Sequence, residues 1–236
     1  MMQSPGSMAR AGDDLAAGGA TASYTINIAI NQQALTQIWQ AGQAVNLVRT
    51  VHDFAGNAAA RKRAETSAMA VVWQAFQPFQ TNAITWTETF HGFASTTALQ
   101  IDSSLALSAQ TGSALQPGMT SVYKGGHFAP GGAAADDALA LQNASSANNL
   151  AFGLAQSATI NARSSGLAPL CAVAVLAEES AQFYPQDTLS IFISSCRQKG
   201  TLIPMPADGL ILSLNGAGRN WNLGFNESSN QFFIKV

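Results

Sequence analysis

Apolar and polar residues alternate most clearly between Ala70 and His91, AVVWQAFQPFQTNAITWTETFH, a segment dense in aromatic side chains and poor in charge. With Thr81 and Asn82 as a turn, Phe79 meets Ile84, Gln77 meets Trp86, Ala75 meets Glu88 and Trp73 meets Phe90, so the pattern predicts a β-hairpin with one apolar face. The opposite face carries Gln74, Phe76, Pro78, Gln80, Thr85, Thr87 and Thr89. A one-residue slip would move every side chain to the other face, and the agreement between the two strands sets the expected register.

Period-2 patterning extends along much of the chain. Tyr24, Ile26, Ile28 and Ile30 alternate with Thr25, Asn27 and Ala29, which predicts a half-buried strand. A short helix follows: Asn31 caps its start, Leu35, Ile38 and Trp39 share one face, and Gly42 stops it. Strands are expected over 44–51, 99–107, 119–128, 150–162, 169–183, 188–195, 201–204, 209–214, 221–226 and 231–236. Turn chemistry separates them, at Ser164, Ser165 and Gly166, at Pro206 and Asp208, at Asn215, Gly216 and Gly218, and at Asn226 to Ser229. The paired glycines, alanine runs and Ser/Asn cluster of 125–149 read as a loose surface excursion. Many short strands and one helix predict an all-β fold, an antiparallel β-sandwich or barrel-like sandwich, formed as a single domain over 22–236 behind a disordered leader at 1–21.

Composition narrows the function classes. Hydrophobic residues make up 47% of the 236 and charged residues only 10%, against roughly 25% in ordinary soluble domains. The surface must therefore be built of Gln, Asn, Ser, Thr, Gly and Ala, which favours self-association or an uncharged partner. A net charge of −2 argues against a nucleic-acid partner, and the basic cluster Arg61, Lys62 and Arg63 reads as a solvated loop. No run reaches the roughly 18 apolar residues of a membrane-spanning helix, and the first residues hold no apolar block of the signal-peptide kind. The expectation is a cytoplasmic protein or one released without a standard leader. A hairpin around Pro185 to Asp187 would set Cys196 about 16 Å from Cys171, beyond disulfide reach, so both are expected as buried free thiols.

Phosphate loops, nucleophile elbows and zinc signatures are all missing from the sequence, and His52, His91 and His127 share no ligand spacing. No cofactor, metal or catalytic residue is assigned. Glu88 stands out as a carboxylate on the apolar phase of the hairpin, diagonal to Gln77, where it needs a partner or the sheet rim. Glu178 and Glu179 point to opposite faces of a strand and form no acid pair. Trp39, Trp73 and Trp86 fall on apolar faces, whereas Trp221 lies among Arg219, Asn220 and Asn222 at a polar strand entry where a ring could meet a ligand. The candidate ligand-binding set is therefore Trp221, Asn220, Asn222, Arg219, Glu88 and Gln77. The pattern points to a non-enzymatic, lectin-like or toxin-like protein that contacts glycans or membrane surfaces, the Thr-rich segment 83–97 having the alternation of a membrane-inserting arm. The alternative is a self-assembling structural or inclusion-type protein.

Overall fold

The computed structural model describes residues 22–55, 69–135, 137–146, 150–215 and 220–235. They form an all-β sandwich of two large sheets, neither closed into a barrel. The first sheet runs in the order β18 (Gln231–Ile234), β17 (Asn220–Asn226), β1 (Ser23–Ala29), β5 (Thr81–Thr87), β11 (Leu150–Ile160), β6 (His91–Ser95) and β7 (Ala109–Gln110), with β12 (Arg163–Pro169) and β13 (Val173–Val175) also paired to β11. The second runs β4 (Gln74–Phe76), β2 (Ala44–Ala55), β14 (Ser180–Ser194), β10 (Leu139–Asn143), β8 (Met119–Lys124) and β9 (His127–Ala133), with β16 (Leu210–Ser213) on β14. A small third sheet joins β15 (Leu202–Pro204) to β3 (Met69–Val71). The sheets are mixed rather than purely antiparallel, because β1 runs parallel to β17 and β10 parallel to β8.

The main core lies between the two large sheets. Ile26, Ile28, Ile84, Phe152 and Leu154 from the first meet Leu47, Leu141, Phe183, Leu189 and Ile191 from the second, all essentially fully buried. A smaller core of Val71, Phe93, Leu105, Ala155 and Leu202 covers the other side of β11 and β6. This cover explains why β11 is buried from Leu150 through Gln156 instead of alternating. The outward side of β17, β1 and β5 stays open, and their residues alternate between buried and solvent-facing.

The helix α1 (Gln32–Gln40) forms as expected: Asn31 Oδ1 accepts from the Ala34 N–H at 2.8 Å, and Gly42 ends it at φ +67°. Leu35 and Ile38 are buried. Trp39 is not, at 42% exposure, and its indole N–H donates to the Pro78 carbonyl.

The predicted hairpin over 70–91 does not form. Gln74–Phe76 pairs with β2 in the second sheet, whereas Thr81–Thr87 pairs with β1 and β11 in the first. The second half keeps its expected phase, with Ile84 and Trp86 buried, but in the first half Gln74 and Pro78 are buried while Gln77 and Phe79 are exposed, against the expected face. Alternation in so short a run fixes neither the buried face nor the neighbouring strand. Segment 99–107 is mostly irregular, joined to 200–202 by backbone hydrogen bonds around the Ser104–Thr201 bridge, and packs over the small core. Within the expected excursion at 125–149, β9 and β10 are strands of the second sheet, with Leu139, Ala140 and Leu141 buried. The turn at 161–162 comes before the predicted one, since Asn161 and Ala162 both take positive φ between β11 and β12. The expected strand at 169–183 is broken, and Glu178 sits at φ +63° in the turn before β14.

The strands expected to turn at Pro185 are one long strand, β14, whose register against β2 shifts between Pro185 and Leu189. That removes the basis of the distance argument for the cysteines. Both thiols are free, Cys171 buried and Cys196 only partly so. The leader at 1–21, the Arg61–Arg63 cluster and the glycine turn at 216 and 218 lie outside the described residues.

Candidate functional site

The open half of the first sheet arranges small neutral side chains in rows across its strands. Thr25 on β1 aligns with Asn220 on β17 and with Thr85 on β5, and Thr85 aligns in turn with Thr159 on β11. One step along, Asn27 aligns with Asn222 and Ala83. One step further, Ala29 aligns with Gly224 and Thr81, and Gly224 with Phe233 of β18. Gly224 leaves room for its neighbour. A Cβ there would come within 2.3 Å of the Phe233 ring, which lies over it while remaining 46% exposed.

A groove of about 700 Å³ crosses these rows, lined by Asn27, Thr81, Asn82, Asn161, Asn222 and Lys235 with Ala29 and Ala83 among them. All four of its amides make hydrogen bonds. Asn82 Nδ2 donates to the Phe79 carbonyl and Asn82 Oδ1 accepts from the Phe79 N–H. Asn161 Oδ1 accepts from the Ala83 N–H, and Asn161 Nδ2 donates to Asn82 Oδ1 at 3.2 Å. Asn27 Nδ2 donates to Asn222 Oδ1 at 3.1 Å, leaving Asn27 Oδ1 and Asn222 Nδ2 as an acceptor and a donor with no protein partner among the described residues. The backbone N–H of Lys235 donates to the Asn222 carbonyl, and Lys235 is the charged residue of the lining.

The structure separates the sequence-predicted set. Asn220 and Asn222 are exposed on the open face, and Asn222 lines the groove. Trp221 points the other way: it is 9% exposed and stacks on Tyr24 at 6.2 Å, so no open ring is presented at that strand entry. The strand begins at Asn220, and its alternation sends position 221 into the core. Arg219 lies outside the described residues. Gln77 is exposed in the segment after β4, in the other sheet, and makes no pair with Glu88.

Glu88 is held by Arg49 and by Tyr24, whose hydroxyl donates to it at 3.1 Å. Arg49 rises from β2, fully buried, and its second amino group donates to Gln156 Oε1 at 3.3 Å while Phe90 lies 5.0 Å beneath the guanidinium. Gln156 donates to the Thr87 carbonyl, and the Trp73 indole donates to the Gln156 carbonyl. The carboxylate thus ties the first sheet to the second through a buried cation. It is committed to the fold, and a ligand would have to compete with Arg49 for it.

The histidines stay apart: His91 contacts the Thr111 carbonyl, His127 contacts the Gly125 carbonyl and His52 is exposed on β2. Among the described residues no group of three His, Cys, Asp or Glu converges as a metal site, and no helix is long and apolar enough to cross a membrane. Segment 83–97 includes β5, which is hydrogen-bonded on both sides in the first sheet, so releasing it would break two ladders. A larger groove of about 1140 Å³ lies between the end of β14, the 203–209 segment and the β17–β18 turn. Its wall mixes Ile203, Pro204 and Met205 with Arg197, which is already bonded to the Gly42 carbonyl.

Of the polar groove residues the sequence reading singled out Asn222 alone and missed Asn27, Thr81, Asn82, Asn161 and Lys235. Asn27 was visible as a solvent-phase residue of β1, but its alignment with Asn222 depends on a parallel pairing across 195 residues.

Fold and face together define a mixed-sheet β-sandwich that carries an amide-lined groove on the open half of one sheet. Comparison with known proteins adds no relative: no family model, curated protein or solved structure matches the chain.

Proposed function

We propose that the open face of the first sheet binds neutral glycans, with Asn27 and Asn222 as the central contacts. The observation that carries this reading is the pairing of those two amides, which uses one donor and one acceptor and leaves a matching acceptor and donor for a ligand. Vicinal sugar hydroxyls both donate and accept, so they suit such a pair better than an anion or a cation does. Asn82 and Asn161 are held rigid by the backbone around them, which limits the ordering cost of binding. Phe233 supplies an exposed ring on the same face, against which the C–H face of a sugar can pack. A protein that only binds needs no catalytic group there, and none is assigned.

A glycan array followed by calorimetric titration of the hits tests the proposal. Asn27→Ala and Asn222→Ala should each weaken binding about tenfold, the value of one to two hydrogen bonds. Glu88→Gln should leave the affinity unchanged in the folded protein, because its carboxylate serves Arg49 and lies off the groove. A folded protein that binds no neutral glycan on the array sinks the reading.

A further inference from the structure

We propose that β18 is a pairing edge for a second copy of this chain, joining two first sheets into one continuous sheet across a two-fold axis at Phe233. The inference does not depend on what the groove binds.

β18 is the last strand of the first sheet, paired with β17 on one side and with no described strand on the other. Unpaired edges invite further strands unless something blunts them. The other ends of the two strand orders are blunted: β7 has two residues, β4 has three, and β9 carries Pro130 followed by Gly131 and Gly132 with a shifted register. Off those orders, β16 is a further uncharged edge, paired only with β14. The β18 sequence, QFFI, contains neither proline nor charge. Phe233 and Ile234 are 46% and 48% exposed there, in a chain with only 10% charged residues to keep copies apart.

Self-pairing also has a matched register. A two-fold axis perpendicular to the sheet keeps outward residues with outward residues, so the strands must be antiparallel and pair positions of the same phase. Centred on Phe233, the pairing sets Phe233 against its own copy, Gln231 against Lys235 on the outer face, and Phe232 against Ile234 on the inner face. This gives one aromatic pair, two aromatic–aliphatic pairs and no like charges. A slip that moved the axis to Lys235 would oppose two ammonium groups, which disfavours that register. The two open faces then lie on the same side of one sheet. Their β1 strands stand five strand spacings apart, about 24 Å.

Sedimentation velocity and a cysteine trap test the pairing. The full chain should sediment as a dimer, and Phe233→Lys, which puts two charges face to face at an already exposed position, should sediment as a folded monomer with an unchanged circular dichroism spectrum. In a Cys196→Ser background, Phe233→Cys should form a covalent dimer under mild oxidation, since cross-strand partners lie within disulfide reach. Phe79→Cys in the same background, at a position 58% exposed and outside any strand, provides the random-collision rate. A monomer at the highest soluble concentration, or a Phe233→Cys variant that cross-links no faster than the Phe79→Cys variant, overturns the proposal.

Discussion

Arg49 is accommodated at 2% exposure by partners from the opposite sheet: Glu88, Gln156 and the Phe90 ring. Removing the carboxylate would strand that cation, so Glu88→Ala should lower stability by about 3 kcal/mol, read from the urea midpoint. Arg49→Met combined with Glu88→Gln should recover much of the loss, because an apolar side chain in the same volume needs no counter-ion. Asp53 shows the opposite case. Burial on the inward phase of β2 raises its pKa from 3.8 to about 6. A folded-state pKa above the unfolded one favours the fold while the group is protonated. That contribution is complete below pH 3.8 and is lost as the pH rises through about 6, an effect of at most about 3 kcal/mol. Asp53→Asn should therefore raise the melting temperature at pH 7 and flatten its dependence between pH 4 and 7. Nearby Cys171 has its thiol pushed well up, first by burial and then by Asp53, so alkylation of the folded protein should label Cys196 and spare Cys171. Glu88 was conspicuous in the sequence as a charge on an apolar phase, and the same sign marked its partner. Val45, Leu47, Arg49 and Val51 share the inward phase of β2, and an arginine there needs a buried acceptor.

At the level of elements, patterning placed several strands and the helix, but it misjudged the faces of 74–79 and of Trp221 and gave few of the strand partners. β1, α1, β17 and β18 lie close to where alternation and capping put them. The segment 70–91 was divided among three sheets, because Ala70 and Val71 pair with β15, β2 offers Gln74–Phe76 an edge and β1 and β11 enclose Thr81–Thr87, and no property of the segment itself encodes those neighbours. The β8–β9 hairpin was readable in principle. Gly125 and Gly126 both take positive φ between Lys124 and His127, the two-residue turn that paired glycines favour, yet the surrounding alanines and glycines made the segment look like a loop. β11 was the hardest strand to interpret, since cover on both sides removes its alternation. Its glycine carries a packing demand: a Cβ on Gly153 would lie 1.9 Å from the Cys171 carbonyl oxygen and 2.7 Å from the Phe93 ring. Gly153→Ala should cost about 3 kcal/mol by forcing the 170–172 segment off the strand, and thermal melting will register it.

For the whole molecule, scarcity of charge and the open face have linked consequences. With Lys235 as the charged residue of the groove lining, binding of a neutral glycan should change little between low and high salt, which titrations at two ionic strengths will check. A steep salt dependence would instead indicate an anionic ligand. Two faces joined through β18 would favour surfaces that display many copies of a weak ligand, since the second contact gains from the first. The parallel pairing of β1 with β17 also governs when the protein becomes competent. Asn27 and Asn222 stand 195 positions apart, so during synthesis β1 must wait beside an open edge while nearly all of the intervening sequence is made. A nascent chain can bury much of its interior before then, but it cannot hold a ligand across β1 and β17. Recognition would therefore wait until β17 has been made, and a product that stops short of Asn220 would lack it whatever the quality of its core.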